Sequence, residues 1–94
     1  MRVPRVTFEF PSLLADVLGQ VKTHELEADS LHRALEALVR DLPQLEPRLF
    51  DEQGGFRQHV LCFHNGRNTR WLEGRDVPLC DGDRIAFLHA VSGG

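Results

Sequence analysis

The chain has 94 residues and carries 11 Lys and Arg residues against 14 Asp and Glu residues, for a formal net charge of −3. This length supports one domain with a single hydrophobic core. Because the chain has no basic excess, nucleic acid is not expected to be its main partner. The apolar runs are short and the N-terminal region is charged every few residues, so we expect a cytoplasmic protein that does not bind membranes.

The first third of the chain is predicted to form a β-hairpin. Residues 3–10 alternate between polar and apolar side chains, which is typical of a strand with one buried face. Pro11 breaks this pattern, and residues 13–19 are expected to form a loop with one helical turn. Residues 20–28 alternate again and predict a second strand paired with the first.

One main helix follows the hairpin. Asp29 and Ser30 are both good N-cap residues, and Pro43 ends the helix because its ring cannot continue the hydrogen-bond ladder. Between them, leucines recur at helical spacing and form one apolar stripe. These leucines are Leu31, Leu35, Leu38 and Leu42. We expect the stripe to pack against the sheet, the only large apolar surface available to it.

The second half of the chain predicts the remaining strands. A connection over residues 44–56 contains a short helix around residues 45–50, and residues 59–65 form the third strand with two largely apolar faces. Asn65 and Gly66 then form a turn. Residues 68–72 are predicted to be a short edge strand or extended segment, residues 74–78 a loop, and residues 84–90 the last strand.

This order of elements predicts an α+β fold of the β-grasp, or ubiquitin-like, type. A mixed sheet of about four to five strands packs on one main helix. The connection rules place the first and last strands side by side and parallel at the centre of the sheet. We therefore predict one domain over residues 1–90, with residues 91–94 as a flexible C-terminal tail that leaves from the central strand.

The last part of the chain carries a recognisable signature. Pro78-Leu79 precedes an Asp-Gly-Asp turn at residues 81–83, an apolar strand, and a short link into Gly93-Gly94. This pattern resembles the C-terminal signature of the MoaD/ThiS family of ubiquitin-like sulfur carriers, and residues 48–52 and 65–74 extend the resemblance upstream. His89 stands where a proline or another small residue is common in the family.

The resemblance implies a carrier or co-substrate rather than an enzyme, although such a chain can be the non-catalytic small subunit of a complex such as molybdopterin synthase. A ubiquitin-activating-type adenylyltransferase would use ATP and Mg²⁺ to adenylate the Gly94 carboxylate, next to Gly93. A sulfur donor would then leave a thiocarboxylate for an acceptor of the molybdopterin-synthase large-subunit or cysteine-synthase type. No cofactor is expected on this chain, since it has no Gly-rich phosphate loop.

A partner surface is predicted on the sheet face that the helix leaves uncovered. Leu61 and Phe63 on the third strand, and Ala86 and Leu88 on the last, should lie side by side there and form a contiguous apolar patch. The family resemblance implies that the adenylating and acceptor enzymes dock on it. We add Val91 to this predicted surface. Trp71 is either a minor core residue or an anchor for the partner.

Alternative chemistry has weaker support. Cys62 and Cys80 are too few for a disulfide framework, and with His64 they match no common zinc spacing, so no metal site is predicted. A Cys-His nucleophile pair has no orienting motif around it. Asp81 and Asp83 flank Gly82 as residues of a turn. For function, the alternatives are a ubiquitin-like modifier conjugated through Gly94 to lysines of target proteins, and a binding module with an inert terminus.

Overall fold

In the computed structural model, which describes residues 2–72 and 74–89, one mixed sheet carries the helices on a single face. The strands are β1 (Arg5–Glu9), β2 (Thr23–Glu27), β3 (Val60–His64), β4 (Arg67–Asn68) and β5 (Arg84–His89). The helices are α1 (Ser12–Val17), α2 (Leu31–Asp41) and α3 (Glu46–Leu49), with 3-10 turns at Pro43–Leu45 and Thr69–Leu72.

The sheet has the order β2-β1-β5-β3-β4, which is the predicted β-grasp arrangement. β1 pairs with β2 in an antiparallel hairpin and with β5 in parallel, so the first and last strands lie together at the centre. β5 also pairs antiparallel with β3 over five residue pairs, from Val60 with His89 to His64 with Ile85. β5 is therefore held by a neighbour on each side.

The core lies between the sheet and α2. Phe87 on β5 stacks on Phe8 and Phe10, with ring centroids 5.7 Å and 6.3 Å apart, and is also in contact range of Phe56. On α2, Leu31, Ala34 and Leu38 are buried, as the helical spacing of the leucines predicted. The Ser30 side chain accepts a hydrogen bond from the Arg33 amide at 3.3 Å, which confirms the predicted N-cap.

Several boundaries differ from the prediction, and backbone geometry explains two of them. The second strand begins at Thr23 instead of Gln20, because Gly19 and Gln20 both have positive φ and a strand cannot run through them. α2 ends at Asp41 because Leu42, the residue before Pro43, has left the helical region.

Two short segments also differ from the prediction. Residues 12–17 form a short helix with buried Leu14 and Ala15, where a loop with one helical turn was expected. The predicted edge strand over residues 68–72 is wrong for most of its length, since β4 has two residues and Thr69–Leu72 is a 3-10 turn.

Among the residues described, the longest helix is α2 with 11 residues, and no helix has the length and apolar character needed to cross a membrane. Ala90, the last residue of the predicted final strand, and the tail at residues 91–94 lie outside the described residues.

Candidate functional site

The uncovered face of the sheet carries a contiguous apolar patch across β3 and β5. Leu61 pairs with Leu88, and Phe63 pairs with Ala86, so the four side chains form two adjacent cross-strand pairs on one face. Leu88 is 49 % exposed, whereas the other three are half-buried. The predicted contiguity of these four residues is confirmed, and we call them the apolar patch.

The other half of the same face is charged. Arg84 on β5 donates hydrogen bonds to the Glu9 carboxylate on β1, and the Arg5 Nε lies 3.0 Å from Glu25 Oε1 on β2. Glu9 pairs in register with Ala86, so the ion pairs begin directly beside the apolar patch. The face therefore changes from apolar on β3 and the second half of β5 to charged on β1, β2 and the start of β5.

Trp71 extends the accessible apolar surface beyond the sheet. Its side chain is 81 % exposed, so the alternative that it belongs to the core is wrong. Trp71 and Phe63 line the same groove, of about 820 Å³, together with the β3–β4 turn. The groove joins Trp71 to the edge of the apolar patch, although Trp71 itself lies on a 3-10 turn and not on a strand.

The Asp-Gly-Asp segment is a structural turn, as predicted. The Asp81 carboxylate accepts from the Arg5 amide at 2.9 Å, and Gly82 has a φ of +89° that favours glycine. Asp83 accepts from the Cys80 amide at 2.9 Å and bonds the His64 Nε2 at 2.8 Å. Both aspartates thus tie the start of β5 to neighbouring strands and are not a catalytic carboxylate pair.

These contacts shift the pKa of the Asp83 carboxyl. Partial burial acts to raise the pKa of its carboxyl, but hydrogen bonds from Asn65, from the Cys80 amide and from His64 outweigh this effect, so that the pKa lies below its ordinary value. The carboxylate is therefore the form that the folded protein stabilises.

The two cysteines differ in their surroundings. Cys62 is buried, and desolvation raises the pKa of its thiol to about 11 despite a hydrogen bond with Thr69. A thiol with this pKa is almost wholly protonated near neutral pH and is a poor nucleophile. Cys80 is a free, exposed thiol. In residues 2–72 and 74–89, no three His, Cys, Asp or Glu side chains are grouped so that they could hold a metal ion.

The remaining predicted site residues are Val91, Gly93 and Gly94, and all three lie outside the described residues. The structure places the end of β5, at His89, five positions before Gly94 in sequence. It also reveals a feature that sequence reasoning missed, a stack of the His59 and His89 rings at this end of the strand. Only the unusual histidine at position 89 could have drawn attention to it.

Comparison with known proteins identifies relatives of both sequence and fold. The ThiS family model matches residues 9–94. The sulfur carrier protein CysO of Mycobacterium tuberculosis is 28 % identical over 91 residues, which are 95 % of this chain and 98 % of that protein. The small archaeal modifier protein 1 of Haloferax volcanii is 33 % identical over 84 residues, covering 86 % of this chain and 91 % of its relative.

Solved structures of the same two proteins share the fold. The crystal structure of the Haloferax volcanii protein superposes with a TM-score of 0.80 at 29 % identity, covering 96 % of this chain and 99 % of the other. The crystal structure of Mycobacterium tuberculosis CysO gives a TM-score of 0.79 at 26 % identity, with 92 % and 99 % coverage. Together with the family match over most of its length, this shared β-grasp fold establishes that the chain belongs to the ThiS/MoaD family of ubiquitin-like sulfur carriers.

Proposed function

We propose that this chain carries sulfur as a thiocarboxylate on Gly94. A carboxylate oxygen of Gly94 attacks the α-phosphorus of ATP, and pyrophosphate leaves. A donor with sulfur at the oxidation level of sulfide then attacks the acyl carbon of this adenylate, AMP leaves, and a thiocarboxylate remains. The observation that carries the proposal is the ThiS family match, which runs through Gly93 and Gly94.

The residue types of the C-terminal segment support this chemistry. An α-carboxyl has a reference pKa of about 3.3–3.7, so that it is ionised near neutral pH and can act as a nucleophile. Because Gly93 and Gly94 have no Cβ, they fit an enzyme channel that is too narrow for other residues. ATP and Mg²⁺ are bound by the activating partner in this proposal.

The apolar patch is proposed as the docking surface for the ubiquitin-activating-type adenylyltransferase, with Trp71 as an additional anchor. Exposed Leu88 and the two cross-strand pairs provide apolar area, and the neighbouring ion pairs fix the direction of approach. Val91 is proposed as part of the same contact because its sequence position follows β5.

The sulfur is then donated to a biosynthetic acceptor. We propose an acceptor of the molybdopterin-synthase large-subunit type, with one of the cysteine-synthase type next. The two are separated by incubating the thiocarboxylated protein with each acceptor and its substrate, and then asking which mixture consumes the Gly94 thiocarboxylate.

Intact-mass spectrometry tests the carrier function. The protein is coexpressed with its adenylyltransferase and a sulfur donor, and we expect one oxygen to be replaced by sulfur, located in the C-terminal peptide. A variant that lacks Gly94 is the matched control and should keep its unmodified mass. An unmodified wild-type protein under conditions that consume ATP and release pyrophosphate would contradict the proposal.

A second candidate function is a ubiquitin-like modifier, conjugated through Gly94 to lysines of target proteins. The observation that favours it is the 33 % identity to the small archaeal modifier protein 1 of Haloferax volcanii. Both functions require an activated Gly94 and differ only in the acceptor. Finding Gly94 in isopeptide bonds to lysines, without any thiocarboxylate, would favour this second function.

A further inference from the structure

Two histidine rings stack where β5 ends. His59 lies directly before β3, and His89 is the last residue of β5; their ring centroids are 5.4 Å apart and their planes are inclined by 26°. The backbone of His89 pairs with Val60, the last pair of the β3–β5 ladder. The stack therefore lies at the point from which the chain continues toward Gly94.

The His89 ring has one buried nitrogen. Its Nδ1 is shielded from solvent and has no hydrogen-bond partner within the described part of the chain. A neutral imidazole can leave this nitrogen unprotonated, whereas a protonated ring carries N–H groups on both nitrogens and a positive charge. Protonation would thus create a buried, unpaired donor next to a second imidazole, which is unfavourable.

We propose that the His59–His89 stack is a pH-sensitive positioning device for the C-terminal segment. The neutral rings hold the end of β5 against the start of β3. Protonation of His89 separates the rings and releases this end of the strand, so that the direction in which the chain leaves the sheet is no longer fixed.

The surroundings of the stack support the proposal. Burial lowers the pKa of His89 below its ordinary value, and the neighbouring His59 lowers it further. Among the described residues, no ion pair includes either ring. The charged residues that precede the two histidines most closely in sequence are bonded to other groups, since Arg57 donates to the Pro47 carbonyl and Arg84 to the Glu9 carboxylate.

The other three histidines provide internal controls because each lies against an aspartate. The shortest ring nitrogen to carboxylate distances are 3.0 Å for His24 with Asp41, 3.8 Å for His32 with Asp76 and 2.8 Å for His64 with Asp83. His89 differs from these three because no carboxylate lies against its ring in any ion pair of the described residues.

The proposal is tested by an NMR titration of the five histidine rings, combined with amide exchange. We expect His89 to titrate below the ordinary histidine pKa of 6.5. Between the ordinary histidine pKa of 6.5 and this lower value, the protection of the Leu88 amide should fall by up to about tenfold for each pH unit, relative to the Ile85 amide. If His89 titrates at or above the ordinary value of 6.5, the proposal is wrong.

Two variants separate a titrating device from simple packing. His89→Phe keeps an aromatic ring in the stack but removes the titration, so the acid-dependent loss of protection should disappear while protection near neutral pH is retained. His59→Phe should raise the pKa of His89 toward its ordinary value. An unchanged acid transition at the end of β5 in His89→Phe would overturn the proposal.

The link to activity rests on the proposed function. The ratio of ATP–pyrophosphate exchange between wild type and His89→Phe, measured with the same adenylyltransferase at each pH, cancels the pH response of that enzyme. We expect this ratio to fall at acidic pH, and a constant ratio contradicts the role in positioning. Absence of exchange with both proteins contradicts the proposed function instead, while the NMR titration still decides the role of the stack.

Discussion

At the scale of single residues, Asp83 links four segments of the chain. Its carboxylate is hydrogen-bonded to the His64 ring, the Asn65 side chain and the Cys80 amide. Its backbone carbonyl accepts a hydrogen bond from the Thr7 amide at 3.0 Å. This one side chain connects the β3–β4 turn with the turn that begins β5. The start of the central strand is therefore set by a carboxylate and by hydrophobic packing together.

Stability should depend on pH through Asp83. Because the folded state lowers its pKa, the stabilisation is complete above the ordinary pKa of an aspartate and is lost as pH falls toward the lower folded value. We expect Asp83→Asn to reduce the free energy of unfolding near neutral pH by about 1–3 kcal/mol and to flatten its decline in acid. Urea unfolding at several pH values measures both effects.

A matched control is Asp16→Asn, since among the described residues the Asp16 carboxylate is hydrogen-bonded only to the exposed Gln20 side chain. This control should leave both the stability and its pH dependence nearly unchanged. Equal acid sensitivity in wild type and Asp83→Asn would contradict the assigned role of Asp83.

Changes at Gly94 are expected to affect function while leaving stability almost unchanged. Deleting it, or adding one residue after it, should leave the melting temperature almost unchanged, because the described core ends with β5. The same changes should abolish adenylation, since one residue moves the attacking carboxylate by about 3.3–3.6 Å. Calorimetry and ATP–pyrophosphate exchange measure the two properties, and a normal exchange rate in the deletion variant would reject both the carrier and the modifier function.

Gly94→Val tests the width of the channel with the carboxylate left in register. We expect the same loss of exchange at unchanged stability, because a branched side chain would stand where the channel admits only backbone. Gly74→Ala offers a contrasting control, since the φ of +84° at Gly74 means that an added side chain strains the backbone of the fold itself.

At the scale of elements, β3 and β5 each carry a core face and an open face. The alternation of side chains along each strand predicted these two faces. Because β3 and β5 are neighbours, their register then puts Leu61 beside Leu88 and Phe63 beside Ala86. Trp71 could not be placed in the same way, since it lies on a 3-10 turn without the period of a strand. The His59–His89 stack depends on the stagger between two strands, which neither strand encodes by itself.

Replacing Leu88 or Phe63 on the open face by Asp should weaken binding to the adenylyltransferase by at least about tenfold, because buried apolar anchors dominate such interfaces. The free energy of unfolding should change by less than about 1 kcal/mol for the exposed Leu88. Calorimetric titration and thermal unfolding measure the two quantities. Leu13→Asp is the control, since Leu13 is 64 % exposed but lies on α1.

Unfolding caused by Leu88→Asp would show that this side chain belongs to the core. Equal weakening by Leu13→Asp would show that any exposed apolar residue affects binding and that the apolar patch has no special role.

At the scale of the whole molecule, the order of elements predicted the topology because few arrangements satisfy the connection rules for a chain of this length. Glu9 and Arg84 are 75 positions apart in sequence, yet they form an ion pair because β1 and β5 are parallel neighbours. Such a pair follows from the topology and could be recognised only after the fold was in place. The backbone at Gln20 is a different case, since a non-glycine residue with positive φ gives no clear signal in sequence.

Phe87 should be the most sensitive position of the core. It is 1 % exposed and lies against Phe8 and Phe10 from the first strand and its end, and against Phe56 from the segment before β3. We expect Phe87→Ala to reduce the free energy of unfolding by about 3–5 kcal/mol, since it removes a large side chain from a packed interior. Urea denaturation measures the loss, and a cost as small as that of Leu88→Ala on the same strand would contradict this packing.

The position of β5 between a parallel and an antiparallel neighbour also has a mechanical consequence. A pull on the chain beyond His89 acts along the strand and loads the hydrogen bonds to β1 and β3 in shear, all at the same time. An edge strand pulled sideways would instead open one bond after another. We therefore expect that a partner enzyme can draw the C-terminal segment into a narrow channel under considerable tension while the domain behind it stays folded.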